Sequence, residues 1–340
     1  MTTYIFRRIL QAIPLLVVIS IVVFSLISLA PGGPMSAFEE NPNLTPEDLA
    51  RLEEQLGLNQ PIHVRYFQWA SHIIQGDWGH SNASRLPVLV EIGERLPNTL
   101  QLMVTAFLVT LIVAIPIGIL SAVRQYSVFD HVATFFAFVG QAIPIFWFGL
   151  ILIIVFNVWL KYPVSPTKGF ALEHFVRCTD CVPLMPGGGM APYGVDNPSF
   201  WQRLQHMVLP VIMLALFGAG TYTRYMRGQM LEVMHLDYIR TARAKGLNER
   251  RVIARHAVKN ALTPVITVIA LELPTLFGGA LFTETIFSWP GMGRLFYRSA
   301  QRVDYPMLMG IIMINAVLII TFNLLADIAY AYLDPRVRYE

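Results

Sequence analysis

The sequence predicts an all-α membrane protein with six transmembrane helices, and three observations carry that prediction. The chain has 340 residues, of which 55% are hydrophobic and only 14% are charged, whereas a soluble domain carries about 25% charged residues. The apolar residues are gathered into runs, most of which approach the roughly 20 residues that a helix needs to cross the hydrocarbon. The runs also lack the alternation of apolar and polar residues that is typical of membrane β-strands.

The six apolar runs differ in how well they fit a straight span. The third run contains Pro144 and is long, which predicts a kinked or tilted helix. The fourth is short and contains Pro210 and two glycines, so it fits a span least well. In chain order the runs are Ile9–Ala30, Leu100–Val123, Val132–Trp159, Met207–Tyr222, Ala261–Phe282 and Met307–Ala326.

The placement of Lys and Arg predicts that both termini are cytoplasmic. Arg7 and Arg8 precede the first run, which has no small-residue cleavage site, so we expect it to be a retained membrane anchor. Six spans return the C-terminus to the same side. The basic segment between the fourth and fifth runs then lies inside, and the acidic segment between the first and second runs lies outside.

These spans divide the chain into three predicted parts. Residues 1–97 hold the first helix and a folded external segment, residues 98–332 form the transmembrane core, and residues 333–340 form a cytoplasmic tail. Within the core we expect an external loop at 161–206 and a cytoplasmic loop at 224–260. In the external segment, Thr45-Pro46-Glu47-Asp48 predicts a capped helix that Gly57 ends, and His63–Gln75 predicts a second helix that Gly76 ends.

The sequence contains no motif typical of an enzyme. It lacks the phosphate-binding GxxxxGK[ST] pattern, the metal-binding HExxH pattern and the GxSxG pattern. Its net charge of +3 gives no reason to expect nucleic-acid binding. Cys178 and Cys181 are candidates for a disulfide in an external loop, with a redox pair or half of a metal site as alternatives. His174 is near, but one His and two Cys leave a zinc site incomplete, so no metal site is predicted.

Polar residues inside the apolar runs are candidates for a translocation pathway. The candidates are Gln141, Glu272 and Asn315. An acid at mid-membrane costs at least about 2.5 kcal/mol, so Glu272 should face a cavity or a partner. The alternative is that these residues form internal hydrogen bonds or ion pairs that hold helices together.

A short basic helix is predicted in the segment between the fourth and fifth spans. Asp237 can cap it, two helical turns run to Lys245, and Gly246 supplies a left-handed stop. Spacing of three to four residues places Tyr238, Thr241, Ala242 and Lys245 on one side, where small residues let another surface approach. The alternative is an amphipathic helix that rests on anionic lipid.

The same segment carries a resemblance to a known family. RTARAKGL followed by a basic helix and NALTPVITV resembles the EAA loop of type I ABC-importer permeases, and more narrowly the B-type permeases of the peptide/nickel subfamily. Arg240-Thr241-Ala242 stands where the short consensus has Glu-Ala-Ala. Further matching stretches cover nearly the whole chain and are FRRILQAIPLLVVISIVVFSL, GDWGHS, AIPIFWFG, TETIFSWPGMGRL and DPRVR.

The resemblance implies a type I ABC-importer (MetI-like) permease fold in a bacterial or archaeal plasma membrane. It implies four partners: a homologous second permease, two cytoplasmic ABC ATPases and an external substrate-binding protein. This chain would bind lipid but no cofactor, because the ATPases bind ATP and Mg²⁺, and it would not itself be an enzyme. The residues expected to couple it to the ATPases are Asp237, Tyr238, Arg240, Thr241, Ala242, Ala244, Lys245 and Gly246.

The cargo that the resemblance implies is di- or oligopeptides. Nickel chelates, glutathione or another small solute are alternatives within the same architecture. A secondary carrier that works without ATPases is the alternative from a different class, although carriers usually hold more intramembrane charges and broken helices.

Overall fold

The computed structural model describes residues 2–29, 35, 45–55, 57–163, 181–195 and 197–333, and most of these are helical. Two short strands, β1 (Lys161–Pro163) and β2 (Cys181–Pro183), pair antiparallel. The helices are α1 (Thr2–Ser28), α2 (Pro46–Gln55), α3 (Ile62–Ile74), α4 (Val88–Val123), α5 (Val128–Ala142), α6 (Ile145–Trp159), α7 (Phe200–Met234), α8 (Asp237–Ala244), α9 (Glu249–Phe277), α10 (Leu281–Ile286), α11 (Met292–Gln301) and α12 (Tyr305–Leu333).

The candidate membrane spans agree with the six predicted runs. Five helices of the described residues are long and apolar enough to cross a membrane, and α5 and α6 add a sixth span when they are counted together. These two helices meet at 102°. The bend predicted at Pro144 is therefore confirmed, and it is sharp because Ile143, with ψ 128°, leaves the helical region before the proline.

The fourth predicted run is much too short, and the structure corrects it. Helix α7 has 35 residues and includes Pro210 in its interior. It begins at Phe200, inside the segment predicted as an external loop, and it ends at Met234, inside the segment predicted as a cytoplasmic loop. Ser199 and Gln202 form a capping box at its first turn, with Ser199 N donating to Gln202 Oε1 at 2.8 Å. Arg224 and Arg227 thus lie on a helix that extends into the segment predicted as a cytoplasmic loop, and the side of the membrane on which this segment lies stays a prediction.

Contacts between residues group the chain into two compact units. The first unit comprises Met1–Thr99, Leu273–Leu281 and Gly291–Glu340, and the second comprises Leu100–Glu272 and Phe282–Pro290. Helix α12 packs with α1 in the first unit, so this unit joins residues from the two ends of the chain. The predicted division into residues 1–97, 98–332 and 333–340 stays a prediction.

The first unit holds α1, α2, α3, α11 and α12. Both helices predicted between the first and second runs are present: Thr45 Oγ1 accepts from Asp48 N at 3.2 Å at the start of α2, and α3 matches its predicted bounds to within one residue at each end. The hydrogen bonds from Thr45 lower the pKa of the Asp48 carboxyl group below its ordinary value. Arg8 on α1 and Asp327 on α12 form an ion pair at 2.6 Å.

The second unit is built around α7. Four helices pack against α7, and they are α4, α5, α6 and α9. At the contact between α5 and α7, a Cβ atom added to Gly220 would lie 2.5 Å from the backbone oxygen of Ala137. Only a glycine permits this approach of the two backbones at this point. A core of buried methionines and small aliphatic residues continues from α7 towards α8.

Candidate functional site

Helix α8 is held against its own chain by two buried side chains. Ile239 is 0% exposed and Ala242 is 7% exposed, and both belong to a cluster with residues of α7 and α9. Their spacing of three residues puts them on one face of the helix. Burying an isoleucine side chain contributes roughly 1.5–3 kcal/mol, so α8 is an anchored element of the second unit.

The start of α8 differs from the prediction. The residue that precedes the helix in extended conformation is Leu236, with ψ 150° and no side-chain cap, and Asp237 is the first helical residue. The prediction that Asp237 caps the helix is therefore wrong. Its carboxylate instead lies in the first turn, where a negative charge favours the helix dipole. It also lies 3.5 Å from Arg240, but both side chains are mostly exposed, so this ion pair contributes little.

The end of α8 is a Schellman motif, as the predicted glycine stop requires. Gly246 adopts φ +74°, its N–H donates to the Arg243 oxygen at 2.9 Å, and the Leu247 N–H donates to the Ala242 oxygen at 3.4 Å. Nothing lies within 4 Å of a Cβ atom added to Gly246. The glycine is therefore required by its backbone conformation and not by crowding.

A two-pronged ion pair joins α8 to the start of α9. Arg243 Nη2 donates to Glu249 Oε1 at 2.7 Å, and Arg243 Nε donates to Glu249 Oε2 at 3.1 Å. These bonds raise the pKa of the Arg243 guanidinium above its ordinary value. Asn248 caps α9 by accepting from Arg250 N at 3.0 Å. The turn between the two helices is thus fixed on both sides of Gly246, and sequence analysis missed the ion pair.

The surface of α8 that faces away from the cluster is exposed. Tyr238, Thr241, Ala244 and Lys245 are exposed, as are Arg240 and Gly246. Ala242 is not, because it packs into the cluster beneath α8. The prediction that Ala242 shares the open side with Tyr238, Thr241 and Lys245 is wrong. Among the small residues of α8, Ala244 is the exposed one, so a partner surface can approach there.

A buried ion pair joins α5 to α7 at a point about two helical turns before α7 ends. Arg227 donates from Nε to Asp130 Oδ1 and from Nη2 to Asp130 Oδ2, each at 2.7 Å. The Asp130 side chain is only 3% exposed, and it also accepts hydrogen bonds from Ser121 Oγ and from Tyr126 N. One carboxylate therefore ties the end of α4 and the start of α5 to the part of α7 that leads into α8.

Gln141 lies in a polar cluster on α5 and α7. Its Nε2 donates to Thr221 Oγ1 at 2.6 Å, and Arg224 Nη2 donates to its Oε1. The Arg224 guanidinium also lies over the Phe138 ring, 4.8 Å from the ring centre, which is a cation–π contact. The Gln141 amide thus binds the Arg224 guanidinium, and sequence analysis had placed Arg224 in the segment between two spans.

The other two pathway candidates lie in different units. Glu272 is exposed at the end of the α-helical part of α9 in the second unit. Tyr222 of α7 is 6% exposed, and its Oη has no hydrogen-bond partner among the described residues. Asn315 belongs to α12 in the first unit, and its buried Oδ1 lacks a partner within the same part of the chain. Of the three candidates, Gln141 is the one whose side chain is seen to contact α7.

The candidate disulfide cannot be placed. Cys178 lies outside the described residues, and of Cys181 the structure describes only the backbone, where β2 begins. Across the described ranges from 2 to 333, no three His, Cys, Asp or Glu side chains come together as a metal site.

Comparison with known proteins gives matches over nearly the whole chain. The family described as binding-protein-dependent transport system inner membrane component matches residues 114–339, and its N-terminal companion matches residues 1–114. The oligopeptide transport system permease protein of Bacillus subtilis is 42% identical over 340 residues, and the dipeptide transport system permease protein of Escherichia coli K12 is 40% identical over 345 residues. The di/tripeptide transport system permease protein of Pseudomonas aeruginosa is 35% identical over 351 residues. Each match covers 100% of both chains.

Proposed function

The chain belongs to the family of binding-protein-dependent transport system inner membrane components, and from that premise we propose that it carries di- or oligopeptides through the membrane. It is a multi-pass permease subunit of an ABC importer and not an enzyme. The cargo is proposed because the three relatives named above are peptide permeases that align along their full lengths.

We propose that α8 couples this permease to ATP hydrolysis. The observation that carries the proposal is the combination of a rigid attachment and an open face on one short helix. Ile239 fixes α8 from below, Gly246 and the Arg243–Glu249 pair fix its end, and Tyr238 remains exposed. A helix held in this way transmits a displacement to α7 and α9, whereas a loose loop would absorb it.

The partners in this proposal are two cytoplasmic ABC ATPases, a homologous second permease and an external substrate-binding protein. The exposed face of α8 would lie in a groove of one ATPase, on the cytoplasmic side together with both termini. The cell would be bacterial or archaeal. Gln141 and Glu272 would contribute to a polar surface along the pathway through their contacts with α7, and Asn315 would do so from α12.

Reconstitution tests the cargo and the coupling together. The permease would be placed in proteoliposomes with the second permease, the ATPases and the binding protein, and uptake of a labelled dipeptide would be measured with and without ATP. We expect uptake that requires all three kinds of partner and ATP. Uptake that proceeds without the ATPases would instead indicate a secondary carrier, and ATP-driven uptake of a nickel chelate but not of peptides would change the cargo.

A matched pair of substitutions tests α8 itself. Ala244→Trp adds bulk to the exposed face of α8, and Ala254→Trp adds the same bulk to an exposed position of α9. We expect Ala244→Trp to lower uptake per ATP hydrolysed by roughly tenfold, as for the loss of an interface hot spot, and Ala254→Trp to lower it much less. Equal effects of the two changes would refute the assignment of α8. Ala242→Trp is unsuitable, because that residue is buried within this chain.

A further inference from the structure

The first unit contains a cavity at the ends of two candidate membrane spans. It has a volume of about 360 Å³ and lies where α1 ends and α12 begins, beneath α3 and the turn at residues 77–79. Phe24 and Ile27 of α1 and Met309 of α12 form its apolar wall, while α3 and the turn add polar and aromatic side chains. Because α1 and α12 are membrane spans, this wall continues the surface that faces the acyl chains.

Hydrogen bonds and ring contacts fix the walls of the cavity. Tyr66 of α3 bonds Ser20 of α1, with their hydroxyl oxygens 2.9 Å apart, and the ring of Trp69 lies 5.4 Å from that of Phe24. On the opposite side, the Asp304 carboxylate accepts from Ser81 Oγ at 2.5 Å and from the backbone N–H groups of Asn82 and Ala83 at 3.0 and 3.2 Å. The cavity is therefore preformed, which lowers the cost of binding a ligand.

An arginine without a partner faces this cavity. Arg65 of α3 is partly buried, and burial lowers the pKa of its guanidinium from the ordinary value. Among the described residues, no hydrogen bond or ion pair reaches its guanidinium, although an arginine stays protonated in proteins. A partly desolvated cation is stabilised by an anion, and a guanidinium binds the two oxygens of a phosphate with particular strength.

The same cavity carries one carboxylate. Asp77 accepts from the Gly79 N–H at 3.0 Å through Oδ1, and among the described residues no ion pair of 4 Å or less joins it to Arg65. His72 also lines the cavity. A positive and a negative group that share a cavity without contacting each other match a ligand that carries both charges. Trp69 and Trp78 beside them are typical of the boundary between membrane and water.

We propose that this cavity binds the headgroup of a zwitterionic phospholipid that carries an ammonium group. Its phosphate binds Arg65, its ammonium group binds Asp77, and its acyl chains lie along the apolar wall formed by Phe24, Ile27 and Met309. A lipid fits better than a dipeptide, because the apolar wall consists of residues from the membrane spans.

Lipid titration of the assembled importer tests the proposal. The complex would be purified in detergent, stripped of lipid and titrated with dihexanoyl phosphatidylethanolamine while native mass spectrometry counts the bound lipids. We expect Arg65→Gln to weaken binding roughly tenfold, because a charge-assisted bond to phosphate is lost, and Arg65→Lys to weaken it less. Arg51→Gln is the matched control, since Arg51 is exposed on α2 and does not line the cavity.

Two further measurements distinguish a lipid headgroup from a free phosphate compound and from a lipid without an ammonium group. Asp77→Asn should weaken binding of phosphatidylethanolamine but not of phosphatidylglycerol, which has no ammonium group. Free phosphoethanolamine should bind much more weakly than the lipid, because it leaves the apolar wall uncovered. The proposal fails if Arg65→Gln and Arg51→Gln bind the lipid equally well. It also fails if free phosphoethanolamine binds as tightly as the lipid, or if glycylglycine displaces the lipid.

Discussion

Replacing Arg227 with methionine should destabilise the second unit by about 3 kcal/mol. The change keeps most of the side-chain volume but removes both hydrogen bonds, each 2.7 Å long, that reach the Asp130 carboxylate. Breaking one partner of a buried ion pair costs about 3–5 kcal/mol, because a buried charge is left without compensation. We expect the low end of that range, since Ser121 and the Tyr126 N–H still donate to Asp130.

A double-mutant cycle separates the ion pair from the loss of packing. The stability of the detergent-solubilised permease would be measured for Arg227→Met, for Asp130→Asn and for the double variant. Because Asp130→Asn removes the stranded charge, the double variant should be less destabilised than the sum of the two single changes, with a coupling energy of about 1–3 kcal/mol. Arg124→Met is the control, since Arg124 is exposed beside the same turn and should change stability by no more than about 0.5 kcal/mol.

The same variants connect this ion pair to transport. Arg227 precedes the end of α7 by about two turns, so its loss should loosen the support of α8 and lower uptake per ATP hydrolysed. A coupling energy near zero, or a loss of stability in Arg227→Met no larger than in Arg124→Met, would refute the reasoning. Normal uptake per ATP in Arg227→Met would limit the ion pair to a role in stability.

Three further substitutions test other parts of the structure. Gly246→Ala should lower stability by about 1–2 kcal/mol, because Gly246 has a left-handed backbone conformation, and it should lower uptake per ATP hydrolysed. Gly246→Asn should have a milder effect. Equal activity of both variants and the wild type would contradict a conformational role. Gly220→Ala should disrupt the contact with Ala137 and lower the unfolding temperature, whereas Gly228→Ala, where nothing lies within 4 Å, should leave it unchanged or raise it. Glu272→Gln should change the relative uptake of cationic and neutral dipeptides, and an unchanged ratio would leave the residue a structural role only.

Local signals in the sequence predicted the elements that depend on local contacts. The start of α2 follows from Thr45 and Pro46, and the end of α8 follows from Gly246, because capping and left-handed turns involve residues only a few positions apart. The spans were predicted from hydropathy because each span is a continuous run of apolar residues. The bend at Pro144 was visible because proline restricts the residue before it.

The errors arose where distant residues decide the outcome. Arg224 and Arg227 follow an apolar run, so hydropathy ended the fourth run before them, whereas the helix continues to Met234 and these two cations bind Gln141 and Asp130, 83 and 97 residues away. The side of α8 that faces inward was misjudged for a related reason. Ala242 is small enough for either face, and only the cluster formed with α7 and α9 buries it.

The break between α5 and α6 determines how many times the chain changes sides. Helix α5 has 15 residues, a length of about 22 Å, which is shorter than the roughly 30 Å of hydrocarbon. Neither half crosses alone, so the two cross only as a pair. Whether the number of crossings is even or odd then depends on a single junction, Ile143-Pro144. An even number exposes a reporter fused to the amino end and one fused to the carboxyl end in the same compartment, and an odd number exposes them in different compartments.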